Sequence, residues 1–400
     1  MRSSRRQVCG WTVAAFAALL TKTPDAVAAV SGKQFGISVP PTSTLKLIPE
    51  WMEISRTPAL GIGLIRKGEP VWERYFGSPS EQSPPINDKT LWIAASLGKQ
   101  AIVYATLRLV AAGQFDLDRP LALYLKTDKP VGPLGAAITA RHVLSHTSGL
   151  PNWRSSGPLE PSFPPGSRFQ YSGEGIYLLS RCIEQITNSG FEYYMQHNVF
   201  APLQMQSSTY IWRADARARV VTGHRGNDVV SNFDFAEALF KRIASSSVPL
   251  REWNHERVSA ALAEQNNGKV PLPADILYPN AAFSLLTTVQ DYCRLIARFL
   301  APSGDGLDID PALLRETRQQ IIRINSKLGW ALGFGTEQAG GERFLWQWGN
   351  NAGAWTDILL LHPESETAIV IFSNGGNGVR VEERIVQDCT GHTHPLFLWI

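Results

Sequence analysis

The spacing of apolar and polar positions changes along the chain and predicts where strands and helices lie. Near the N-terminal end, Leu45–Arg56 has the apolar spacing of an amphipathic helix. Two strand-like runs follow, Ala59–Ile65 and Pro70–Gly77, with a hairpin turn at Arg66–Glu69 between them. Strand-like patterns return near the C-terminal end, before a predicted helix at Val381–Cys389. These later strands are predicted at Arg343–Trp348, Thr356–Leu361 and Thr367–Phe372.

Between these two ends, the apolar positions follow a helical period. The predicted helices include Lys99–Ala112, Ala140–Ser145, Gly175–Thr187, Phe191–Val199, Glu256–Gln265 and Thr288–Leu300. Strands at both ends with helices between them predict an α+β fold, in which the two chain ends build one sheet and a mostly helical lobe is inserted. We assign residues 29–95 and 281–400 to the sheet lobe and residues 96–280 to the helical lobe, with a ligand cleft between the lobes.

The composition is that of an ordinary globular protein, with 44% hydrophobic and 18% charged residues over 400 positions. The first 28 residues differ, because three arginines precede the uncharged run Gln7–Thr21 and Ala26–Ala28 offers a small-x-small cleavage signal. This pattern predicts a secretory signal peptide over residues 1–28, and hence a periplasmic or secreted protein, with a hint of the twin-arginine route. An organelle transit peptide, which is also rich in Arg and Ser, is the alternative.

The charge of the chain excludes some partners. The net charge is +3 at pH 7, and residues 1–28 account for it with four basic residues and one acidic residue. These are Arg2, Arg5, Arg6, Lys22 and Asp25. The near-neutral remainder gives no electrostatic case for nucleic acid or an anionic membrane surface as a partner. The N-terminal apolar run is too short to span a bilayer comfortably, so we expect no stable membrane span after cleavage.

The cysteines do not form a disulfide pattern. Cys9 lies in the predicted signal peptide, and Cys182, Cys293 and Cys389 are widely spaced without a Cys-x-x-Cys pair. Cys182 and Cys293 lie within apolar helical patterns. These features predict buried thiols rather than a disulfide framework.

Ser96 and Lys99 stand three residues apart at the start of the predicted helix Lys99–Ala112, which places them within reach of each other. In the first turn of a helix, unpaired backbone N–H groups and the helix dipole favour developing negative charge. A partly desolvated lysine can lose its proton and accept one from a serine hydroxyl, as in Ser-x-x-Lys acyl-transfer enzymes. The alternative, which the spacing alone favours, is an N-capping serine with a solvated lysine one turn later.

Two further stretches carry groups that such a site needs. Tyr171 follows the irregular segment Phe163–Phe169, which can present its phenol to a cleft as a base for the serine and an acid for the leaving group. Trp348–Asn351 ends an apolar run, and a strand there can offer one backbone N–H to an oxyanion, beside the N–H of Ser96. The structural alternatives are a loop aromatic that buries its ring and an edge strand that closes in an Asn-rich turn.

The histidines and the remaining carboxylates are assigned no catalytic role. His146 is predicted to stabilise a turn, because Lys99 already supplies the base. His392 and His394 could hold a metal at two points, but no cysteine or carboxylate at ligand spacing supports a site. No acid pair is evident among Glu50, Glu53 and Asp357. We therefore expect neither a metal nor a cofactor.

Five motifs stand in order along the chain. They are Ser96-Leu97-Gly98-Lys99, Leu144-Ser145-His146-Thr147-Ser148-Gly149-Leu150, Tyr171-Ser172-Gly173, Phe200-Ala201-Pro202-Leu203-Gln204-Met205 and Leu286-Thr287-Thr288-Val289-Gln290-Asp291. Together they resemble the serine β-lactamase and penicillin-binding protein superfamily, in particular the branch of class C β-lactamases, D-amino-acid peptidases and related carboxylesterases. The likeness runs from about Ala59 to Asn374. It implies a β-lactamase/transpeptidase-like fold, with an antiparallel sheet flanked by helices.

The resemblance also implies a role for each candidate residue. Ser96 would be the nucleophile, Lys99 the base and Tyr171 the proton shuttle, while the backbone N–H groups of Ser96 and Asn351 would form the oxyanion hole. Substrate contacts are implied at Gly173, Trp348, Gly349 and Asn350.

Two positions depart from the family pattern. Gly173 stands where the family usually has Asn, so a side-chain amide that would bind substrate and orient Lys99 is missing. Trp348 stands where Lys or His usually begins the strand motif, and a cation there attracts the carboxylate of penicillins and peptide C-termini. The second change disfavours efficient hydrolysis of β-lactams and D-Ala-D-Ala peptides and favours neutral esters or amides.

These observations predict an exported serine hydrolase that acts through a covalent acyl-enzyme on the ester, amide or lactam carbonyl of a small-molecule or peptide-like substrate. A carboxylesterase or a D-stereospecific amidase is favoured over a β-lactamase or a DD-carboxypeptidase. A non-catalytic sensor of penicillins or cell-wall fragments ranks lower, because such proteins typically lose the nucleophile or the base. A metallohydrolase is a further alternative.

Overall fold

An antiparallel sheet of eight strands frames the structure, a computed structural model that describes residues 35–78, 85–231, 233–269 and 279–400. The strands of the described residues are β1 Ala59–Arg66, β2 Glu69–Gly77, β3 Trp92–Ile93, β4 Gly223–Arg225, β5 Asp228–Val230, β6 Leu286–Thr287, β7 Ile322–Arg323, β8 Leu328–Trp330, β9 Gly335–Ala339, β10 Glu342–Asn351, β11 Trp355–His362 and β12 Thr367–Ser373. The large sheet has the order β2-β1-β12-β11-β10-β9-β8-β7. Strands from both chain ends therefore build one sheet, as the sequence predicted.

The local sequence explains how the sheet begins. Lys67 and Gly68 join β1 to β2 with φ values of 52° and 75°, and two successive positive φ angles define the turn type that matches the twist of a hairpin. β1 then pairs with β12, with Ile62 opposite Ile371. β11 and β12 are buried along their whole length, which explains their nearly unbroken apolar sequences.

Helices cover both faces of the sheet. In the described residues they are α1 Thr42–Ser55, α2 Lys99–Ala111, α3 Gly132–Ala136, α4 Ala140–Leu144, α5 Gly173–Thr187, α6 Phe191–Met195, α7 Ala216–Arg219, α8 Asp234–Ser245, α9 His255–Gln265, α10 Val289–Ala297, α11 Pro311–Glu316 and α12 Gly378–Thr390. The side chains of β12 alternate between two cores: Ile369 and Ile371 pack with α1 and α12, whereas Val370 and Phe372 pack with α2 and α10. The predicted α+β class is confirmed.

Most differences from the prediction concern short elements, although the twelve-residue helix α8 was also not among the predicted helices. The strands β7 to β9 were not predicted, because runs of two to five residues, two of them containing a glycine, give too few alternations to form a pattern. The two-residue strands β3 and β6 pair with each other and lie directly before Ser96 and α10, respectively. Of the predicted helix Phe191–Val199, the α-helical part is α6, which ends at Met195. A π-helical turn follows from Gln196 to Phe200.

Some predictions fall outside what the structure tests. The signal peptide at residues 1–28, with Cys9, lies outside the described residues. The described residues belong to one compact unit, so the lobe boundaries at residues 95/96 and 280/281 stay a prediction. Cys182 and Cys293 are buried free thiols, which confirms the prediction for these two residues, and Cys389 is also buried. No helix among the described residues combines the length and apolar character that a membrane crossing requires.

Candidate active site

Ser96 lies in a short 3₁₀ turn, Ala95–Gly98, directly before α2 rather than within the helix. Two buried tyrosines, Tyr210 and Tyr292, donate their hydroxyls to carbonyls of this turn at 2.9 and 2.8 Å. The backbone of Ala95 has a φ of 41°, which changes the chain direction sharply just before Ser96. The 3₁₀ turn and the hydrogen bonds from the two tyrosines hold Ser96 in a fixed position shortly after β3 ends.

Lys99 is the first residue of α2, and its ammonium group reaches back to Ser96. Nζ lies 2.8 Å from Ser96 Oγ and 2.7 Å from the carbonyl oxygen of Ala282. The side chain is buried, and burial lowers the pKa of Lys99 below its ordinary value of 10.5, an effect that Tyr171 opposes. A lowered pKa raises the fraction of neutral amine, which can accept the proton of the serine hydroxyl.

Tyr171 stands opposite Lys99 in an extended segment before α5. Lys99 Nζ lies 5.0 Å from the centroid of the tyrosine ring, and Gln347 Nε2 donates to the tyrosine hydroxyl at 3.3 Å. Gln347 belongs to β10, so the sheet contributes a contact that orients the phenol. Ser96, Lys99 and Tyr171 therefore meet at one place, as proton transfer between a hydroxyl and a leaving group requires.

His146 supports the tyrosine rather than the serine. Its ring packs against Tyr171 with centroids 4.2 Å apart, and its Nδ1 accepts a hydrogen bond from Ser172 N at 3.2 Å. Burial, and next the charge of Lys99, hold the pKa of His146 well below its ordinary value, so the ring is neutral. These contacts agree with the predicted structural role of His146. The ring supports Tyr171 directly, in addition to stabilising a turn.

The strand β10 passes directly beside the Ser96 turn. A Cβ atom at Gly349 would lie 3.0 Å from Ala95 Cβ and 3.2 Å from Ser96 N, so a larger residue would push the strand and the turn apart by a few tenths of an ångström. Two residues further on, Asn351 Nδ2 donates to the carbonyl of Phe283 at 3.2 Å, which fixes the end of the strand. The strand thus brings backbone amides close to Ser96 N. The assignment of the oxyanion hole to the N–H groups of Ser96 and Asn351 stays a prediction.

These residues border a cavity of about 940 Å³. Its lining residues are mostly aromatic or aliphatic, and they are Ile93, Ser96, Lys99, Asn152, Trp153, Tyr171, Val230, Phe233, Phe235, Ala236, Phe283, Trp346, Gln347, Trp348, Asn350, Asn351, Ala352, Trp355, Trp399 and Ile400. Among these described residues, Lys99 is the only one with an ionisable side chain apart from the phenol of Tyr171. A carboxylate of a substrate would therefore find no second cation in the described lining.

The predicted substrate contacts differ in their placement. Trp348 and Asn350 line the cavity, and Gly349 lies beneath them against the Ser96 turn. Gly173 is buried at the start of α5, where its N–H donates to Asn152 Oδ1 at 2.9 Å. The indole of Trp153 covers Gly173 and lines the cavity there. The sequence predicted that Gly173 contacts the substrate, but in the structure the indole of Trp153 lies between Gly173 and the cavity.

Several residues at the site had no signal in the sequence. Gln347 donates a hydrogen bond to Tyr171, and the carbonyl of Ala282 accepts one from Lys99. The position of Gln347 between two tryptophans was the sole sequence clue to either contact. Asp357 was noted only as lacking an acid partner. It is fully buried behind Gly349, at 3.1 Å from where a Cβ of that glycine would be, and no side chain among the described residues donates a hydrogen bond to its carboxyl oxygens.

The C-terminal histidines lie outside the cavity lining. His394 Nδ1 is 2.7 Å from Glu337 Oε1, and His392 Nε2 is 3.9 Å from Glu342 Oε1. No group of three or more metal-ligating side chains in the described part of the chain is suited to hold an ion. These histidines tie the C-terminal segment to the sheet.

A comparison of the sequence with models of known protein families identifies the family of the chain. The family model for Beta-lactamase matches residues 46–388. The chain belongs to the beta-lactamase family. The antiparallel sheet and the motif order are therefore those of a beta-lactamase-family protein, as the resemblance implied.

Individual relatives are distant. Esterase EstB of Burkholderia gladioli is 29% identical over 180 residues, which are 36% of this chain and 45% of the esterase. The chain spans less than two thirds of the length of the curated relatives it matches. The solved structure of EstCE1, a hydrolase with promiscuous acyltransferase activity, is 17% identical and has a TM-score of 0.66 over 87% of this chain and 97% of that one. A beta-lactamase/D-alanine carboxypeptidase from Yersinia pestis is 16% identical, with a TM-score of 0.63 over 86% and 98%. These structural likenesses confirm the fold.

Proposed function

We propose that this beta-lactamase-family protein is a serine hydrolase that cleaves neutral esters, and secondarily amides, through a covalent acyl-enzyme. The observation that carries the proposal is the 2.8 Å separation of Ser96 Oγ and the buried amine of Lys99, at the wall of a large and mostly apolar cavity. A buried amine with a lowered pKa beside a hydroxyl is the arrangement that activates a serine nucleophile.

Acylation begins when Ser96 Oγ attacks the carbonyl carbon of the substrate. The hydroxyl proton passes to neutral Lys99 Nζ, and the carbonyl oxygen gains the negative charge. The backbone N–H groups of Ser96 and Asn351 stabilise this oxyanion in the proposed mechanism. When the tetrahedral adduct collapses, the bond to the leaving group breaks, and the proton moves from Lys99 through the hydroxyl of Tyr171 to the departing oxygen or nitrogen.

Deacylation repeats these steps with water as the nucleophile. Water loses a proton to the Lys99 and Tyr171 pair and attacks the acyl ester on Ser96. Collapse of the second adduct returns the proton to Ser96 Oγ and releases a carboxylic acid. The products are therefore one acid and one alcohol or amine, and the enzyme ends in its starting protonation state.

The charge of the cavity supports an uncharged substrate. Trp348 lies on β10 where a cation would otherwise attract a carboxylate, and Lys99 is engaged by Ser96 and Ala282. An anionic substrate would lose its hydration in this lining without gaining an ion pair. Two similar proteins, the esterase EstB and the hydrolase EstCE1, agree with ester substrates.

We also propose that the protein is exported. The arginines before an uncharged apolar run and the small residues near position 28 support a signal peptide. N-terminal sequencing of the protein recovered from the periplasm and the medium tests this, and an uncut cytoplasmic product would contradict it.

Covalent labelling tests the proposed nucleophile. We expect a fluorophosphonate probe to label the full-length protein once, on the peptide that contains Ser96, and Ser96→Ala to abolish both labelling and ester hydrolysis. Ser145→Ala is a matched control, because this buried serine lies outside the cavity lining. Labelling that persists in Ser96→Ala would overturn the assignment.

A substrate panel separates the proposed function from its alternatives. We expect turnover of p-nitrophenyl esters, slower turnover of D-alanyl p-nitroanilide, and little turnover of a chromogenic cephalosporin. Rapid cephalosporin hydrolysis would instead indicate a β-lactamase. A stable penicilloyl adduct without turnover of any substrate would indicate a sensor. Loss of activity in chelators would indicate a metallohydrolase.

A further inference from the structure

Trp153 occupies space that exists only because residue 173 has no side chain. A Cβ atom at Gly173 would lie 2.4, 2.6 and 2.8 Å from three carbon atoms of the Trp153 indole. Such distances lie far inside van der Waals contact, so any side chain at position 173 would displace the indole. The two positions are therefore coupled, and the glycine sets the location of the tryptophan.

The backbone around Trp153 is clamped to the start of α5. Asn152 accepts a hydrogen bond from Gly173 N at 2.9 Å through its side chain, and from Glu174 N at 2.9 Å through its carbonyl. In return, Arg154 N donates to Glu174 Oε1 at 3.1 Å. The residues on both sides of Trp153 are thus fixed, and the half-buried indole faces the cavity in a preformed orientation.

The indole of Trp153 also packs against Phe283. The two rings are 5.5 Å apart and nearly perpendicular, at 88°. Phe283 directly follows Ala282, whose carbonyl binds Lys99, and its own carbonyl binds Asn351. The aromatic pair therefore lies between the general-base candidate and the end of β10, close to where a carbonyl would react.

The surroundings of this pair are also apolar. Aliphatic and aromatic side chains continue the same cavity lining at Ile93, Val230, Phe233, Phe235, Ala236 and Trp355. An edge-to-face ring pair that lines a cavity favours a further ring there, which contributes attraction beyond its buried area.

We propose that Trp153, seated over Gly173 and packed on Phe283, forms a subsite that selects esters carrying an aromatic group near the scissile carbonyl. This inference rests on the proposed ester hydrolysis and adds its substrate class. Trp153 is the specificity-determining residue, and Gly173 acts through it as a positioning residue. The aromatic group is bound by contact with the indole and with the Phe283 ring, without an ion pair.

Two matched pairs of esters, followed by pH-stat titration, test the subsite. Ethyl phenylacetate against ethyl butyrate places the ring on the acyl side, and benzyl acetate against butyl acetate places it on the alcohol side. We expect the wild-type protein to prefer the aromatic member of one pair by roughly tenfold in kcat/KM, mainly through KM. The pair that shows the preference identifies the side on which the ring binds.

Variants then connect the preference to the two residues. Trp153→Leu and Gly173→Ala should each bring the aromatic-to-alkyl ratio to about one, and Gly173→Ala should have no further effect on that ratio in the Trp153→Leu background. Trp72→Leu, on β2 and outside the cavity lining, is the matched control and should keep the wild-type ratio. Thermal melts and fluorophosphonate labelling confirm that each variant is folded.

The outcomes separate the two claims. A wild-type protein that is labelled at Ser96 but turns over no ester contradicts the proposed function. A protein that hydrolyses all four esters, with equal ratios in wild type and Trp153→Leu, contradicts the subsite alone. Additive effects of the two substitutions on the ratio would contradict the coupling between positions 153 and 173.

Discussion

Two buried ionisable groups lie near the Ser96 turn, and their surroundings differ. Lys99, at the start of α2, is 2% exposed, and its amine contacts both Ser96 Oγ and the carbonyl of Ala282. Asp357, on β11, is fully buried, and no side chain among the described residues donates a hydrogen bond to its carboxyl oxygens. Both groups are deprived of water, but only the lysine faces the cavity.

Burial moves both groups toward their neutral forms. It lowers the pKa of Lys99, and together with the nearby carboxyl of Glu382 it raises the pKa of Asp357 well above its ordinary value. A neutral amine beside a hydroxyl is a base ready for proton transfer, whereas a neutral carboxyl behind Gly349 leaves the region near Ser96 N free of negative charge. An ionised Asp357 would repel the oxyanion that the mechanism requires.

The largest effect is expected for Lys99→Ala. Removal of the amine leaves Ser96 without a base, so kcat for ester hydrolysis should fall roughly a thousandfold or more while KM changes little. Steady-state kinetics with a p-nitrophenyl ester measure this. Turnover retained within about tenfold would remove Lys99 from the mechanism. Lys126→Ala, at an exposed position, serves as the matched control.

Tyr171→Phe should lower kcat roughly a hundredfold. The ring remains to pack on His146, so the fold should be kept, while the hydroxyl that returns the proton to the leaving group is lost. The decrease should be smaller for an ester with a good leaving group, such as p-nitrophenol, than for an ethyl ester. Equal losses for the two esters would contradict a role as the acid.

Trp348→Lys changes the charge of the cavity rather than the proton path. A second cation on β10 should raise kcat/KM for a chromogenic cephalosporin roughly tenfold, because its carboxylate gains an ion pair. Hydrolysis of neutral esters should not rise with it. Trp348→Met, which removes the indole without adding charge, is the control. An unchanged cephalosporin rate would show that position 348 does not select against carboxylates.

Asp357→Asn should change stability rather than chemistry. Because the folded-state pKa of Asp357 is raised, the native protein binds a proton that the unfolded chain releases above about pH 4, so its contribution to stability falls as pH rises. Glu382, with a pKa raised to about 8, acts in the same direction. We therefore compare the change in the free energy of unfolding that Asp357→Asn causes at each pH. This change should be more stabilising at pH 8 than at pH 5 by about 1 kcal/mol or more.

Urea unfolding at the two pH values measures this difference. Asp228→Asn, at an exposed position, should show no such gain. A gain equal at pH 5 and pH 8 would indicate a packing effect instead of the loss of a buried ionisable group.

The sequence was sufficient where a pattern extends over many residues. The long apolar runs of β1, β11 and β12 and the amphipathic helices gave the fold class, and the order of the motifs brought together Ser96, Lys99 and Tyr171. These predictions depend on local periodicity and on residue types that the chemistry demands.

The remainder depends on contacts between distant positions. The 3₁₀ turn at Ala95–Gly98 is fixed by Tyr210 and Tyr292, which lie over a hundred residues away and carry no local signal. The position of the Trp153 indole depends on the absence of a side chain at Gly173. In the sequence, Gly173 was visible only as a departure from a family pattern. The buried position of Asp357 likewise follows from sheet pairing with Gly349.

The pH dependence of Ser96 acylation tests the central claim most directly, namely that a neutral, buried Lys99 takes the proton of Ser96. The second-order rate of fluorophosphonate labelling should rise with pH along a limb whose midpoint lies below 10.5, the ordinary pKa of lysine, and this limb should be absent in Lys99→Ala. A midpoint at the ordinary lysine value, or the same limb in the variant, would contradict the account.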